Sequence, residues 1–216
     1  MLPENFWKEG VSFYFDGVGF THKTNLLGEA RAAGAMAWRK PCEGLAYSTK
    51  GKKEGSGGKQ AHFLVAIAYS KGVVCCEQYT ETLTGNLFAE FVREYFPLVF
   101  KRGQNPKGRL FLQDGDPRQN SKIACKAMEA VDCRMFEIPP RSPDINPIEN
   151  MFHLVRQQLT KDAWDYKITK ETFEQFSDRI KNTINNFPVA VINKTIESMN
   201  KGMRLILKGK GNRTKY

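Results

Sequence analysis

Three acidic residues, Asp16, Asp114 and Glu149, stand where carboxylates can do metal chemistry. Asp16 follows the apolar, β-rich run Val11-Ser12-Phe13-Tyr14-Phe15. Asp114 follows a second such run, Leu110-Phe111-Leu112-Gln113, and opens the turn-forming Asp114-Gly115-Asp116-Pro117. Glu149 comes with 34 residues between it and Asp114, in Ser142-Pro143-Asp144-Ile145-Asn146-Pro147-Ile148-Glu149-Asn150. Ends of neighbouring parallel strands lie about 4.8 Å apart, so two such acids can share one divalent ion. Magnesium prefers carboxylate and water oxygens at about 2.0–2.1 Å. A carboxylate on a nearby helix can serve a second ion about 3.5–4 Å away, and such a pair activates an attacking oxygen and stabilises a leaving one in displacement at phosphorus.

Each acid also has a plain structural use. Asp114, Asp116 and Asp144 suit turns. Asn146 and Glu149 match a helix N-cap with its acid at the third helical position. Spacing alone leaves both readings open. The three histidines, His22, His62 and His153, are scattered and form no competing constellation.

The elements that must position these acids follow from periodicity. Val11 to Phe15 reads as a buried strand ending at Asp16-Gly17. His62–Tyr69 and Gly72–Tyr79, joined by Ser70-Lys71, read as an antiparallel hairpin. Asn86–Phe100 is a helix with Leu87, Phe88, Phe91, Val92, Tyr95 and Phe96 on one face. Leu110–Gln113 is a strand, Asn120–Val131 a helix and Arg134–Ile138 a short strand. The next helix has Asn146 at the N-cap, Pro147 in its first turn and an apolar stripe through Ile148, Met151, Phe152, Val155 and Leu159. Two amphipathic helices close the chain, one from Phe173 to Phe187 and one from Ile192 to Ile206. The fold class is therefore α/β: a mixed sheet flanked by helices, compatible with a ribonuclease H-like arrangement in which the first and fourth strands are neighbours.

A net charge of +10 and a pI near 9.4 point to a polyanionic partner, most simply nucleic acid. Residues 21–60 form an insertion with eight Lys and Arg against three Glu. Its part from Lys50 to Lys59 reads as a cationic loop that contacts phosphates or a partner subunit. Five cysteines lack metal or disulfide spacing, which favours a reducing compartment. No apolar run approaches the roughly 18 residues of a membrane span, and Lys8 and Glu9 interrupt any leader-like segment.

The Glu149 motif, together with Leu112-Gln113-Asp114-Gly115-Asp116-Pro117, resembles the catalytic domain of mariner-superfamily transposases, most of all the branch with 34 residues between its last two acids. Trp38-Arg39-Lys40-Pro41 and Thr214-Lys215-Tyr216 extend the resemblance over nearly the whole chain. The family implies a ribonuclease H-like fold and a site using Mg²⁺ or Mn²⁺, two ions in all, held by Asp16, Asp114 and Glu149. It implies cutting of double-stranded DNA at transposon ends, followed by attack of the 3′-hydroxyl on target DNA at TA sites. Arg39, Lys40, Lys50, Lys52, Lys53, Lys59 and Arg141 become candidate DNA contacts, a homodimer the expected assembly and the nucleus the expected location. Gly17, Gly115 and Gln119 depart from the family, which usually has Glu, Asn and His there. The helix-turn-helix modules that precede the family's catalytic domain are not expected in this sequence, and end-specific recognition with them. The alternative reading is an inactive DNA-binding or dimerising remnant.

Overall fold

In the computed structural model, residues 3, 5–22, 59–104, 108–138 and 145–208 are described. A π-helical turn, Phe6–Gly10, leads into strand β1, Phe13–Thr21. Strands β2 (Gln60–Ala68) and β3 (Gly72–Tyr79) follow, then helix α1 (Gly85–Gly103). Next come β4 (Leu110–Leu112), α2 (Lys122–Ala130), β5 (Arg134–Phe136) and α3 (Pro147–Asp165). Helices α4 (Phe173–Asn185), α5 (Val189–Glu197) and α6 (Met199–Lys208) complete the order. The single long helix expected from Ile192 onward is thus two, divided at Ser198.

The five strands form one sheet in the order β3-β2-β1-β4-β5. The first and fourth strands are neighbours and parallel, as the ribonuclease H-like reading predicts, pairing Phe13 with Phe111 and Tyr14 with Leu112. The β2–β3 hairpin is antiparallel, and its turn contains Ser70 at φ 61° followed by Gly72 at φ 78°. One expectation fails. The first strand does not end at Phe15 with a turn at Asp16-Gly17; it runs on to Thr21. The reason is its partner, for β2 pairs with β1 from Tyr14↔Ile67 through Asp16↔Val65 to Thr21↔Gln60. That ladder satisfies the backbone of the glycine-containing half, and Val18 and Phe20 keep the period-two burial that Gly17 and Gly19 conceal in the sequence.

β1 is central and buried on both faces. Phe13 and Phe15 face α1 and α2, with Phe88, Val92, Phe96 and Ala127. Tyr14, Val18 and Phe20 face α3, α4 and α5, with Ile148, Phe152, Val155, Ile180 and Ile192. Cys75 and Cys76, adjacent on β3, fall into opposite cores, as alternation requires. Arg179 ties α4 to α3 by a paired hydrogen bond to Glu171 and another to the Leu159 carbonyl at 3.2 Å.

The α1 face is aromatic. Phe96 sits at its middle, with ring centroids 5.2 Å from Phe13, 5.5 Å from Phe15 and 5.0 Å from Phe111. These edge-on contacts lock β1 and β4 together from one side. Phe96→Ala is therefore expected to cost about 3–5 kcal/mol, read as a lower urea midpoint. A loss under about 1 kcal/mol would show that the sheet does not rely on this helix.

Candidate active site

Period two sets where the acids point. Asp16 shares its face with Tyr14 and Val18, the face covered by α3. β4 stops at Leu112, which packs on that same face. Carried on by two residues at the same offset, the β1–β4 register sets Asp114 beside Asp16. The β4 side of Asp16 is thus free of a strand and open to the Asp114 loop.

Asp114 keeps its turn role as well: its Oδ1 accepts from the Asp116 backbone N–H at 3.1 Å. Asp116 is held by Arg118, whose Nε and Nη2 donate to its two oxygens at 3.1 and 2.9 Å. The turn reading of this acidic stretch is therefore correct for both residues. It does not remove Asp114 from the site, because one carboxylate oxygen carries the turn and the other has no partner in the turn.

Helix α3 brings the third acid. Its first turn holds Glu149, half-buried, after Pro147. Asn146 is the N-cap residue, as the sequence predicts, but its side chain makes no capping bond. Instead its Nδ2 donates to Asp16 Oδ2 at 3.3 Å, in the buried interior. Asp16 Oδ1 accepts from the Gly17 N–H at 2.7 Å.

The electrostatics are those of neighbouring acids. Burial, then the charges of Asp114 and Glu149, push the Asp16 carboxyl up to about 8, against a pull downward from the Gly17 N–H. Glu149 is likewise raised, chiefly by burial, while the Arg156 guanidinium opposes the shift. Asp16 and Glu149 thus act on each other at close range, as neighbouring acids in a buried site do. Burial pushes the thiols of Cys75, Cys76 and Cys133 up to about 12, so none is a ready nucleophile.

Whether the site suits a hard divalent ion can be judged from its donors. All three acids offer oxygen, and Asn146 is 1% exposed with an Oδ1 that has no partner. An orphaned buried amide oxygen beside three carboxylates fits magnesium or manganese, not a thiolate-seeking metal. Among the described residues no group of three or more His, Cys, Asp or Glu side chains is drawn in closely enough to hold an ion as it stands.

The departures at 17 and 115 are not imposed by the backbone. A Cβ on Gly17 would meet only ordinary contacts, 3.5 Å from Leu64 and 3.9 Å from both Gln119 and the Tyr79 hydroxyl. One on Gly115 would meet nothing within 4 Å. Gln119 is buried against this same spot. Of the expected DNA contacts only Lys59 lies among the described residues; it is exposed, with its ammonium 5.8 Å from the Phe173 ring centre. Arg39, Lys40, Lys50, Lys52, Lys53 and Arg141 lie outside them, as does most of the 21–60 insertion. Sequence reasoning missed Asn146 as the partner of Asp16, because Asn before Pro at a helix start reads as a cap.

Residues 37–169 match the DDE superfamily endonuclease family. The chain belongs to that family. The match spans Asp114 and Glu149 and starts beyond Asp16, whose place rests on the β1–β4 pairing. The Tc1 transposase of Caenorhabditis elegans is 26% identical over 110 residues, 51% of this chain and 38% of that protein. The Tcb2 transposase of Caenorhabditis briggsae is 26% identical over 107 residues, 50% of this chain and 37% of its own. The Mos1 mariner paired-end complex with Mg shares the fold at a TM-score of 0.70 and 12% identity, over 94% of this chain and 56% of that one. The isolated Mos1 catalytic domain gives 0.58 at 14% identity, over 73% and 77%. The chain thus spans well under half the length of the Tc1-type relatives. Their mariner-superfamily membership agrees with the Glu149 motif, and the ribonuclease H-like fold holds for this DDE domain.

The raised Asp16 carboxyl links stability of the metal-free DDE domain to pH. Its folded value, about 8, lies above the ordinary 3.8, so the folded state holds the extra proton. The benefit is complete below about pH 4 and is lost as pH rises through about 8. Urea denaturation in EDTA is expected to show stability falling across that window, and Asp16→Asn is expected to flatten the fall. A pH-independent wild type would contradict the burial of Asp16 among like charges.

Proposed function

We propose that this DDE domain is a metal-dependent transposase catalytic domain that cuts phosphodiester bonds at transposon ends and joins the freed 3′-hydroxyl to target DNA at TA sites. What supports the reading is that Asp16, within β1, lies beside the end of β4 that leads into Asp114, and that its carboxyl feels the charges of Asp114 and Glu149. Asp16, Asp114 and Glu149 would hold the Mg²⁺ or Mn²⁺ ions of such a site. When bound, such ions supply Lewis-acid stabilisation of charge at phosphorus and lower the pKa of an attacking water or hydroxyl. Asn146 fixes the Asp16 carboxylate and offers its free amide oxygen to the same centre. Arg156 keeps Glu149 closer to its charged form. Solved structures of Mos1 mariner paired-end complexes with Mn and with Mg support the ion choice.

The partners in this reading are double-stranded DNA and a second copy of the chain; the Mos1 paired-end complex with the left transposon end supports the first. No helix among the described residues is long and apolar enough to cross a membrane. A DNA-joining enzyme of this kind works in the nucleus. The second reading, an inactive DNA-binding remnant, is favoured by Gly17 and Gln119, two departures that stand side by side at Asp16.

The deciding assay is Mn²⁺-dependent nicking and strand transfer on supercoiled plasmid. Wild type is expected to nick, and Asp114→Asn and Glu149→Ala to fall to background. Nicking that survives in Asp114→Asn would refute the three-carboxylate mechanism; silence in all three proteins with DNA binding intact would support the remnant. Asn146→Ala is expected to weaken Mn²⁺ binding about tenfold or more, as loss of a ligand-orienting partner does, measured by calorimetry. Unchanged affinity would remove Asn146 from the centre.

A further inference from the structure

β3 has one partner strand. The sheet order leaves its outer side unpaired over eight residues, against three in β5 at the other edge. Both faces of β3 are covered: Cys75 is buried in the α1 core and Cys76 in the core of α3 and α4. The edge itself is open. From Val73 to Glu77 it floors a groove of about 300 Å³, walled by Arg102 at the end of α1 and by Lys181 and Asn185 of α4. With Val74, Cys75 and Cys76 buried, β3 presents mainly backbone there, since alternate residues of an edge strand turn N–H and C=O outward. Two features limit where a further strand could pair. The register passes from Cys75↔Ala66 to Val73↔Ile67, so Val74 is the extra residue of a bulge. Its carbonyl accepts from Arg102 Nη1 at 3.0 Å. Bulge and cation close the edge at Val74. From Cys75 to Tyr79 no described side chain bonds to the outer backbone. Arg102 spends one of its five N–H groups on Val74 and forms no ion pair with any described residue. Lys181 reaches Glu77 at 3.6 Å from the α4 side. Burial dominates the Cys75 thiol; Glu77 raises it further, and Arg102 and Lys181 both pull it down. The two cations thus approach one stretch of β3 from opposite faces of the sheet.

We propose that the outer edge of β3 receives an extended acidic segment of a partner protein, which adds to the sheet as a sixth strand along Cys75–Tyr79 and sets a carboxylate between Arg102 and Lys181. In such strand addition the backbone ladder gives affinity, and pockets for alternate side chains give choice. Charge complementarity commits the guest to acids. The groove sets two cations against one carboxylate, Glu77, which Lys181 already engages. A basic guest would face Arg102 with a like charge. Leu98 stands one turn before Arg102 on the same face of α1 and is 47% exposed, an apolar contact for a residue alternating with the acid. The inference is independent of DNA cutting. β2 separates the groove from the carboxylate centre, with Cys76 paired to Val65 and Val65 to Asp16.

The test titrates the whole chain into a labelled, β-prone peptide that alternates Val with Glu and Asp, read by fluorescence anisotropy. Two further peptides carry Lys in place of the acids, or Pro in place of the Val residues, which removes the N–H groups a ladder needs. Arg102→Gln and Lys181→Gln are compared with wild type and with Lys101→Gln, which removes an exposed charge beside Arg102 but outside the groove. The acidic peptide is expected to bind wild type and Lys101→Gln alike. It is expected to bind Arg102→Gln about tenfold more weakly, the loss of one charge-assisted hydrogen bond. Lys181→Gln is expected to weaken it too. That variant leaves the Arg102–Val74 bond in place, so the test stands even if Arg102→Gln disturbs the fold. Amide exchange within Cys75–Tyr79 is expected to slow when the acidic peptide is added. Failure of the acidic peptide to bind overturns the proposal, as does equal binding of the Lys peptide or unchanged affinity in both groove variants. Equal binding of the Pro peptide would leave a simple anion contact and overturn strand addition. Displacement of the acidic peptide by duplex DNA would assign the edge to a polynucleotide and overturn the protein partner.

Discussion

Two residue pairs hold this site in place. β1 and β4 pair over Phe13↔Phe111 and Tyr14↔Leu112 and then part. Were the pairing longer, the β4 backbone would cover the edge of β1 at Asp16 and leave no room for the Asp114 loop. Were it absent, nothing would set the two acids side by side. A two-pair parallel contact is weak in itself, so both faces reinforce it. Phe96 bridges Phe13 and Phe111 from the α1 side, and Tyr14 and Leu112 pack with Ile148 and Phe152 from the α3 side. The same aliphatic stripe that seats α3 on the sheet delivers Glu149 and Asn146 to Asp16.

What the packing assembles, electrostatics resists. Asp16 is 6% exposed and receives two hydrogen bonds, from Gly17 and Asn146. That is too little to offset burial beside two further acids, and its carboxyl rises to about 8. Hydrophobic contacts elsewhere in the fold must offset the cost. A divalent cation supplies the missing positive charge, so the tension that weakens the metal-free fold is the affinity with which the site takes an ion. Stability and function draw on the same carboxylates in opposite directions.

The sequence made the architecture legible where periodicity was strong. The aromatic face of α1, the stripe of α3 and the β2–β3 hairpin all emerged near their predicted bounds. It misled at β1, because Gly17 and Gly19 look like turn residues and only the β2 ladder, distant in sequence, shows that they are strand. The positions of Asp114 and Glu149 were readable from their motifs. That Asp16 points at them was not, since it depends on register between strands almost a hundred residues apart. Asn146 was read as a cap for a sound local reason, and tertiary structure redirected its side chain by offering a buried carboxylate.

That redirection bears on how such motifs are read. Asn-Pro-x-Glu at a helix start satisfies the rules for capping: an amide before the first turn, Pro where no N–H is needed, and an acid near the positive end of the helix dipole. Those features also suit a metal centre. An acid in the first turn of a helix has its charged form favoured by the helix dipole, and Pro fixes the entry of the chain. The N-cap position projects its side chain away from the helix, toward whatever lies beyond its end. In this fold β1 lies there, and the amide meets Asp16 in place of its own backbone. Local propensity and site chemistry therefore coincide in residue type and differ only in where the side chain is spent. The cap bond, worth about 1 kcal/mol, is given up for a 3.3 Å bond to the buried Asp16 carboxyl. The helix remains in place because Ile148, Met151, Phe152 and Val155 bury its first two turns.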